Sequence, residues 1–237
     1  MKSKYELRIA HLYGDLMNTY GDYGNILVLQ YYGRKMGIKV DANVVSIGSE
    51  LDPDKYDLAI FGDGQYFEQS IVAKDLPFKK NALTKMINRG VPMLAVGEGY
   101  QLLGKSYLTP KGHKMPGLGI MSHTTDQRHR DHDFVGEERI ADPITHQTYH
   151  GFEHHQDQTF LGNGEKPLGK VIDGMGGNNT KVNGEGAQLK NLYCTYIHSF
   201  LARNPEVTKS MLLKALKNKY PDEDFSKLAA MKFAPSY

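Results

Sequence analysis

Val91-Pro92-Met93-Leu94-Ala95-Val96-Gly97-Glu98-Gly99-Tyr100-Gln101-Leu102-Leu103-Gly104 is the stretch that decides the fold of this chain. Residues 92–96 read as a buried strand, the glycine-flanked centre as a sharp turn, and the residues that follow as a helix. That succession is the scaffold of a nucleophile elbow, where a tight turn lifts one side chain above a sheet. No Cys, Ser or Thr stands at the tip. The architecture predicts a hydrolase, and the tip residue removes the chemistry that hydrolases of this kind use.

The same grammar extends toward the N-terminus. Leu7 to Tyr13 reads as a strand, and a helix opens after Asp22 and stops at Gly37. Lys39 to Ser46 alternates as a second strand, and Asp57-Leu58-Ala59-Ile60-Phe61 is a short apolar run of the kind found in parallel cores. Helices are expected near Glu68 to Ala73 and from Lys79 to Asn88. Strand alternating with helix predicts an α/β fold with a mostly parallel central sheet flanked by helices. Beyond Pro110 the chain turns β-rich, with candidate strands at 117–121, 134–140, 148–153, 170–172 and 191–197. A helix from about Pro205 to Lys217 buries Val207, Met211, Leu212 and Leu216 on one face, and a short docked helix follows Pro221.

The 237 residues suit a single domain spanning 1–237, with a core burying roughly 70% of the unfolded surface. Net charge is +2, which gives no electrostatic case for nucleic acid or a membrane surface. One cysteine, Cys194, excludes an intrachain disulfide and a cysteine-based zinc site. With no apolar leader and no run of ~20 apolar residues, a cytoplasmic protein without membrane insertion is expected.

Several segments, spread in order from residue 12 to about 205, resemble one family. Leu12-Tyr13-Gly14-Asp15-Leu16-Met17-Asn18-Thr19-Tyr20-Gly21-Asp22-Tyr23-Gly24-Asn25 leads them. Gly64-Gln65 with Glu68-Gln69 fits a Gly-Gly-Gly-Gln-Asp-x-Glu-Gln loop. Gly151-Phe152-Glu153-His154-His155, Pro167-Leu168-Gly169-Lys170-Val171, Glu185-Gly186 and Thr195-Tyr196-Ile197-His198 with Asn204-Pro205 complete the set. Together they resemble the class I glutamine amidotransferases of the cobyric acid synthase type, most of all the glutaminase subunits of lipid II isoglutaminyl synthases. The resemblance implies a flavodoxin-like amidotransferase fold, no cofactor, and a Mur-ligase-like protein partner in peptidoglycan amidation. It also implies a mechanism: an elbow cysteine attacks the glutamine amide, His198 activates it and protonates the departing ammonia, and backbone amides hold the oxyanion.

The departures from the family cluster at the chemistry. Where the family reads Ala-Val-Cys-Gly-Gly-Tyr-Gln, this chain reads Ala95-Val96-Gly97-Glu98-Gly99-Tyr100-Gln101, so Gly97 takes the nucleophile's position. The glutamine loop becomes Asp63-Gly64-Gln65-Tyr66, and Asp133 stands where an arginine would hold the substrate, leaving Arg128 or Arg130 to reach in. Cys194 lies four residues before His198 on an expected strand, about 13 Å away, which is too far for a thiol–imidazole pair. Glu98 is a poor replacement nucleophile, because a carboxylate attacking an amide gives an anhydride, and it is favourable simply as a first-turn acid. The candidate site is therefore His198, Gly97 and Glu98, with Gly64, Gln65, Arg128 and Asp133 toward the substrate.

Other signals are weaker. Histidines 123, 129, 132, 146, 150, 154 and 155 crowd one region without metal-ligand spacing, so no metal is expected. Gly97-x-Gly99 lacks the third glycine of a dinucleotide loop. Tyr20 and Tyr23, expected in an exposed loop, suit a protein interface. Three readings stay open: an inactive subunit with Glu98 closing the pocket, an active glutaminase with its nucleophile elsewhere, and a repurposed hydrolase or ligand pocket around His198 and Glu98. A cobyric acid synthase-like amidotransferase domain is a further family alternative.

Overall fold

The structure, a computed structural model, describes residues 3–128 and 132–234. The first half runs β1 (Tyr5–Leu12), α1 (Tyr23–Lys35), β2 (Ile38–Val45), β3 (Leu58–Phe61), α2 (Tyr66–Asn88), β4 (Met93–Val96) and α3 (Glu98–Leu103). The β-rich half adds β5 (Ser106–Leu108), β6 (Lys114–Pro116), β7 (Thr124–Asp126), β8 (Phe134–Ala141), β9 (Thr148–His155), β10 (Gln158–Phe160), β11 (Gly169–Asp173), β12 (Gly184–Glu185), β13 (Ala187–Leu189), β14 (Leu192–Thr195) and β15 (Ile197–His198). It closes with α4 (Phe200–Arg203), α5 (Pro205–Lys219) and α6 (Ser226–Ala229).

The central sheet has the order β13-β14-β4-β3-β1-β2 and is parallel except for β13. Its inner strands are apolar on both sides because each face carries helices. Leu58, Ile60, Leu94 and Val96 point into one core with α1 and α5, while Ala59, Phe61, Met93 and Ala95 point into the other with α2 and α3. That is the two-residue strand period written into continuous hydrophobic runs. Each buried Leu or Ile in these layers contributes roughly 1.5–3 kcal/mol. A second sheet, β12-β11-β8-β9-β15, and a four-stranded one, β10-β7-β5-β6, complete the β-rich half.

Three expected segments take a different form, and the short strands β5, β6, β7, β10, β12 and β13 have no counterpart among the expected ones. The two helices expected on either side of Pro77 are one helix, α2, because its buried stripe of Val72, Leu76, Lys79, Leu83 and Met86 continues through the proline. Residues 117–121 form no strand. Their amides instead reach back to the end of α3, with Leu118 N–H donating to the Leu102 carbonyl at 2.8 Å and Gly119 N–H to that of Gly104 at 2.7 Å. This segment satisfies carbonyls that a helix C-terminus leaves open. Finally, residues 191–197 are not one strand. β14 pairs with β4 in the central sheet, whereas β15 pairs with β9 in the second sheet.

That last break matters for the site. Glu185 accepts the Tyr196 N–H at 2.6 Å and the Thr195 hydroxyl at 3.0 Å, and the Thr195 Oγ1 accepts the Ile197 N–H at 3.0 Å. The chain is thereby turned out of the central sheet just before His198. Cys194 is fully buried among apolar groups of the other sheet, so it and His198 do not share a strand.

Candidate functional site

The tip of the elbow is built where β4 ends beside β14. Gly97 has φ +53° and ψ −121°, a backbone state that a side chain strains, and its N–H donates to the Thr195 carbonyl at 3.0 Å. Gly99 lets α3 approach the neighbouring strand end, since a Cβ there would lie 2.6 Å from the Gly62 carbonyl oxygen. The elbow scaffold is therefore intact in its geometry as well as its sequence.

A cavity of about 320 Å³ opens at this tip. Of the residues singled out from sequence, His198, Gly97, Glu98, Gly64, Gln65 and Asp133 line it. Glu98 forms part of the wall and does not close the space. Arg128 is elsewhere: its guanidinium forks onto Asp126, Nε to Oδ1 at 3.0 Å and Nη2 to Oδ2 at 2.8 Å, on the exposed surface. Arg128 is thus placed on Asp126 and not among the residues that line the cavity. Arg130 lies outside the described residues, as do His129 and Asp131.

His198 is held between two carboxylates. Its Nδ1 is 3.3 Å from Asp22 Oδ1, and its Nε2 is 3.8 Å from Asp63 Oδ2. The Tyr20 ring lies over the imidazole at 4.6 Å between centroids, and the Tyr20 hydroxyl pairs with His154 Nδ1. Burial alone would favour a neutral imidazole, but the Asp22 hydrogen bond and the charges of Asp22 and Asp63 outweigh it, and the His198 pKa is raised.

Asp63, which the sequence shows only as a change in the glutamine loop, takes a central place in the site. It is buried at the end of β3, with 5% of its surface accessible. Its N–H donates to Asp22 Oδ2 at 2.7 Å, and its own Oδ1 accepts the Glu98 N–H at 2.9 Å. The Gly64 amide also donates to this carboxylate. Burial pushes the Asp63 carboxyl well above the usual carboxylate range, with Asp22 and Asp157 adding to the rise and His198 and the Gly64 amide opposing it. The signal was in plain sight: Asp63 interrupts the glycine run of the loop, and Asp22 sits in the N-terminal signature.

The cavity floor is polar and ordered. Gln101 Nε2 donates to Asp157 Oδ2 at 2.9 Å, while Gln101 Oε1 accepts from Gln69 at 3.0 Å and from Gln127 at 2.9 Å. Tyr66 donates to Asp157 Oδ1 at 3.1 Å, and His155 stacks on Tyr196 at 3.9 Å. The remaining described histidines are dispersed, His123 being fully buried against Tyr100. Among the described residues, no three His, Cys, Asp or Glu side chains could hold a metal ion.

With this geometry in view, comparison with known proteins is decisive. The model of the CobB/CobQ-like glutamine amidotransferase domain matches residues 8–206. The chain belongs to that family. It is 46% identical to the lipid II isoglutaminyl synthase (glutamine-hydrolyzing) subunit GatD of Streptococcus pneumoniae, over 91% of this chain and 83% of that protein. The corresponding subunit of Staphylococcus aureus is 36% identical, over 91% and 86%. A cobyric acid synthase of Listeria innocua is 25% identical over 82% of this chain, which spans only 41% of that longer protein. Among solved structures, PurLQS from Thermotoga maritima superposes with a TM-score of 0.59 at 12% identity, covering 90% of this chain and 96% of that one. A glutamine amidotransferase superposes at 0.57 and 14%, covering 87% and 98%. These structures share the amidotransferase fold, as the strand order and elbow lead one to expect. No helix among the described residues is long and apolar enough to cross a membrane.

Proposed function

We propose that this chain is the amidotransferase-like subunit of a cytoplasmic complex with a Mur-ligase-like partner, acting in the amidation of lipid II, and that it does not hydrolyse glutamine through a thiol. The observation that carries the second half is Gly97. The family's route needs a heteroatom nucleophile at the elbow tip, within reach of the histidine. Here the tip has no side chain, and the chain's only cysteine is buried in the core. His198 keeps an orienting acid in Asp22, so half of a proton-transfer pair survives without the group it would activate. The first half rests on similarity to two isoglutaminyl synthase subunits, each matched across more than four-fifths of its length.

The test is ammonia release from glutamine by the protein purified from its host with whatever accompanies it, beside a His198→Ala version. The expected result is no glutaminase activity in either, with a Mur-ligase-like protein co-purifying. Activity abolished by His198→Ala would overturn the inactive reading. The open cavity supports a second reading, a small-ligand site around His198 and Glu98. Saturable binding of a ligand other than glutamine, weakened by Glu98→Ala, would favour it.

A further inference from the structure

Gly97 and Asp63 occupy neighbouring strand ends, and one fills the space that the other leaves. A Cβ built on Gly97 would lie 2.0 Å from Asp63 Oδ1, 2.4 Å from its Cγ and 3.1 Å from its Cβ. Nor is the carboxylate the loose end of a flexible chain. The Glu98 and Gly64 amides hold it, its own backbone N–H is tied to Asp22, and its backbone carbonyl accepts the Thr19 N–H at 3.0 Å. Its second oxygen faces His198.

We propose that Asp63 is a built-in plug of the elbow: its carboxylate stands where a side chain at 97 would project and engages the adjacent backbone amides, so the residues at 63 and 97 form one interdependent exchange. This rests on the reading that thiol chemistry is absent, and it adds why the absence is locked. An elbow with no side chain would lose packing contacts at its tip and leave the Glu98 amide donor without a protein acceptor, and both are costly. Asp63 removes both costs at once. The same contact bars an incoming amide carbonyl from the Glu98 N–H, and it turns the second carboxyl oxygen toward His198. Asp63 thus acts as a positioning residue for the imidazole as well as an occupant of the space.

The consequence is that a nucleophile cannot be restored by one substitution. The experiment is a four-member cycle of wild type, Gly97→Cys, Asp63→Gly and the double variant, read by melting temperature and by the rate at which iodoacetamide modifies the new thiol. Gly97→Cys alone is expected to lower the melting temperature by roughly 5 °C, as an overpacked buried site does in a chain of this size. The double variant recovers most of the loss added by the cysteine, and its thiol reacts at least ~10-fold faster, as expected when a buried thiol next to a carboxylate is freed of it. A single variant that is insoluble beside a soluble double variant is the same coupling in stronger form. Asp63→Asn keeps the volume and removes the ionisable carboxyl. Combined with Gly97→Cys it should leave the introduced thiol shielded, and on its own it should move the NMR titration of His198 to lower pH. Additive effects, or a thiol equally reactive with aspartate or glycine at 63, would falsify the plug and leave the proposed function standing. Ammonia release by the wild-type complex would overturn the proposed function while the cycle could still show the coupling.

Discussion

At the scale of single residues, the centre of the site is an imidazole whose protonation its neighbours set. Asp22 contacts Nδ1 and Asp63 faces Nε2, so the protonated ring gains two carboxyl neighbours on folding. A group whose pKa is raised by folding adds stability that is complete below its unfolded value and is lost as pH rises through the folded value. Asp22→Asn removes the nearer partner. It should therefore lower the pH at which His198 titrates by NMR and reduce stability more at pH 6 than at pH 8. An unchanged titration would mean that Asp22 orients the ring without setting its charge. The residue level is also where sequence reading was blindest. Gly97 was legible because a motif with one empty position advertises the vacancy. Asp63 was visible as a change of type, but nothing in a linear string says that its carboxylate crosses to the neighbouring strand end. The same limit applies to Tyr20, which is 48% exposed as expected of a surface loop, yet packs over His198.

At the scale of elements, patterns with one dominant cause were legible and those with two competing causes were not. The strands β1 to β4 and the helices α1 and α5 follow from apolar periodicity, which burial enforces. Pro77 set a local rule against a tertiary one. It removes a backbone N–H and disfavours the helical state of Leu76, so a break was the reasonable expectation. The buried stripe on both sides of it outweighs that penalty and keeps α2 continuous over 23 residues. Pro77 itself is exposed, so Pro77→Ala loses no packing and restores the missing donor. It should stabilise the protein by about 1–3 kcal/mol, read as a higher urea midpoint at unchanged slope. A lower midpoint would show that the proline fixes a bend that the core needs. The split of β14 from β15 was hidden for a different reason. Leu192 to His198 is uniformly strand-like, and the agent of the break, Glu185, lies outside the segment.

At the scale of the whole molecule, the second sheet carries buried acids, one of which, Glu185, also bonds the end of β14, and this gives stability a definite pH dependence. Glu138 on β8, Glu153 on β9 and Glu185 on β12 are all fully buried. The register places Glu138 opposite Gly151 and Glu153 opposite Gly136, so the first two are diagonal neighbours on one face. Burial, followed by the charges of Glu185 and Glu153, pushes Glu138 up to about 11. Burial likewise pushes Glu185 up to about 8, against the opposing hydrogen bonds of Tyr196 and Thr195. In the unfolded chain both would ionise near their ordinary value of 4.5. Between that value and about 8 the folded state therefore holds more protons than the unfolded one, and stability falls as pH rises. On the acid side the sign reverses. Burial would raise Glu165, but the His123 ring, with Nδ1 3.7 Å away, and hydrogen bonds from the Gly162 and Ser122 amides overcome it and hold the carboxyl at about 2, so its contribution is lost as pH falls below 4.5. Urea midpoints measured from pH 4 to pH 9 should accordingly peak near pH 5 and decline toward pH 8. Glu138→Gln keeps the shape and removes one of the titrating groups, so it should flatten that decline while leaving the midpoint at pH 5 nearly unchanged. A wild-type midpoint that rises from pH 5 to pH 8 would mean that the buried acids are compensated in a way that their surroundings do not supply, and the link between the two sheets would need a different account.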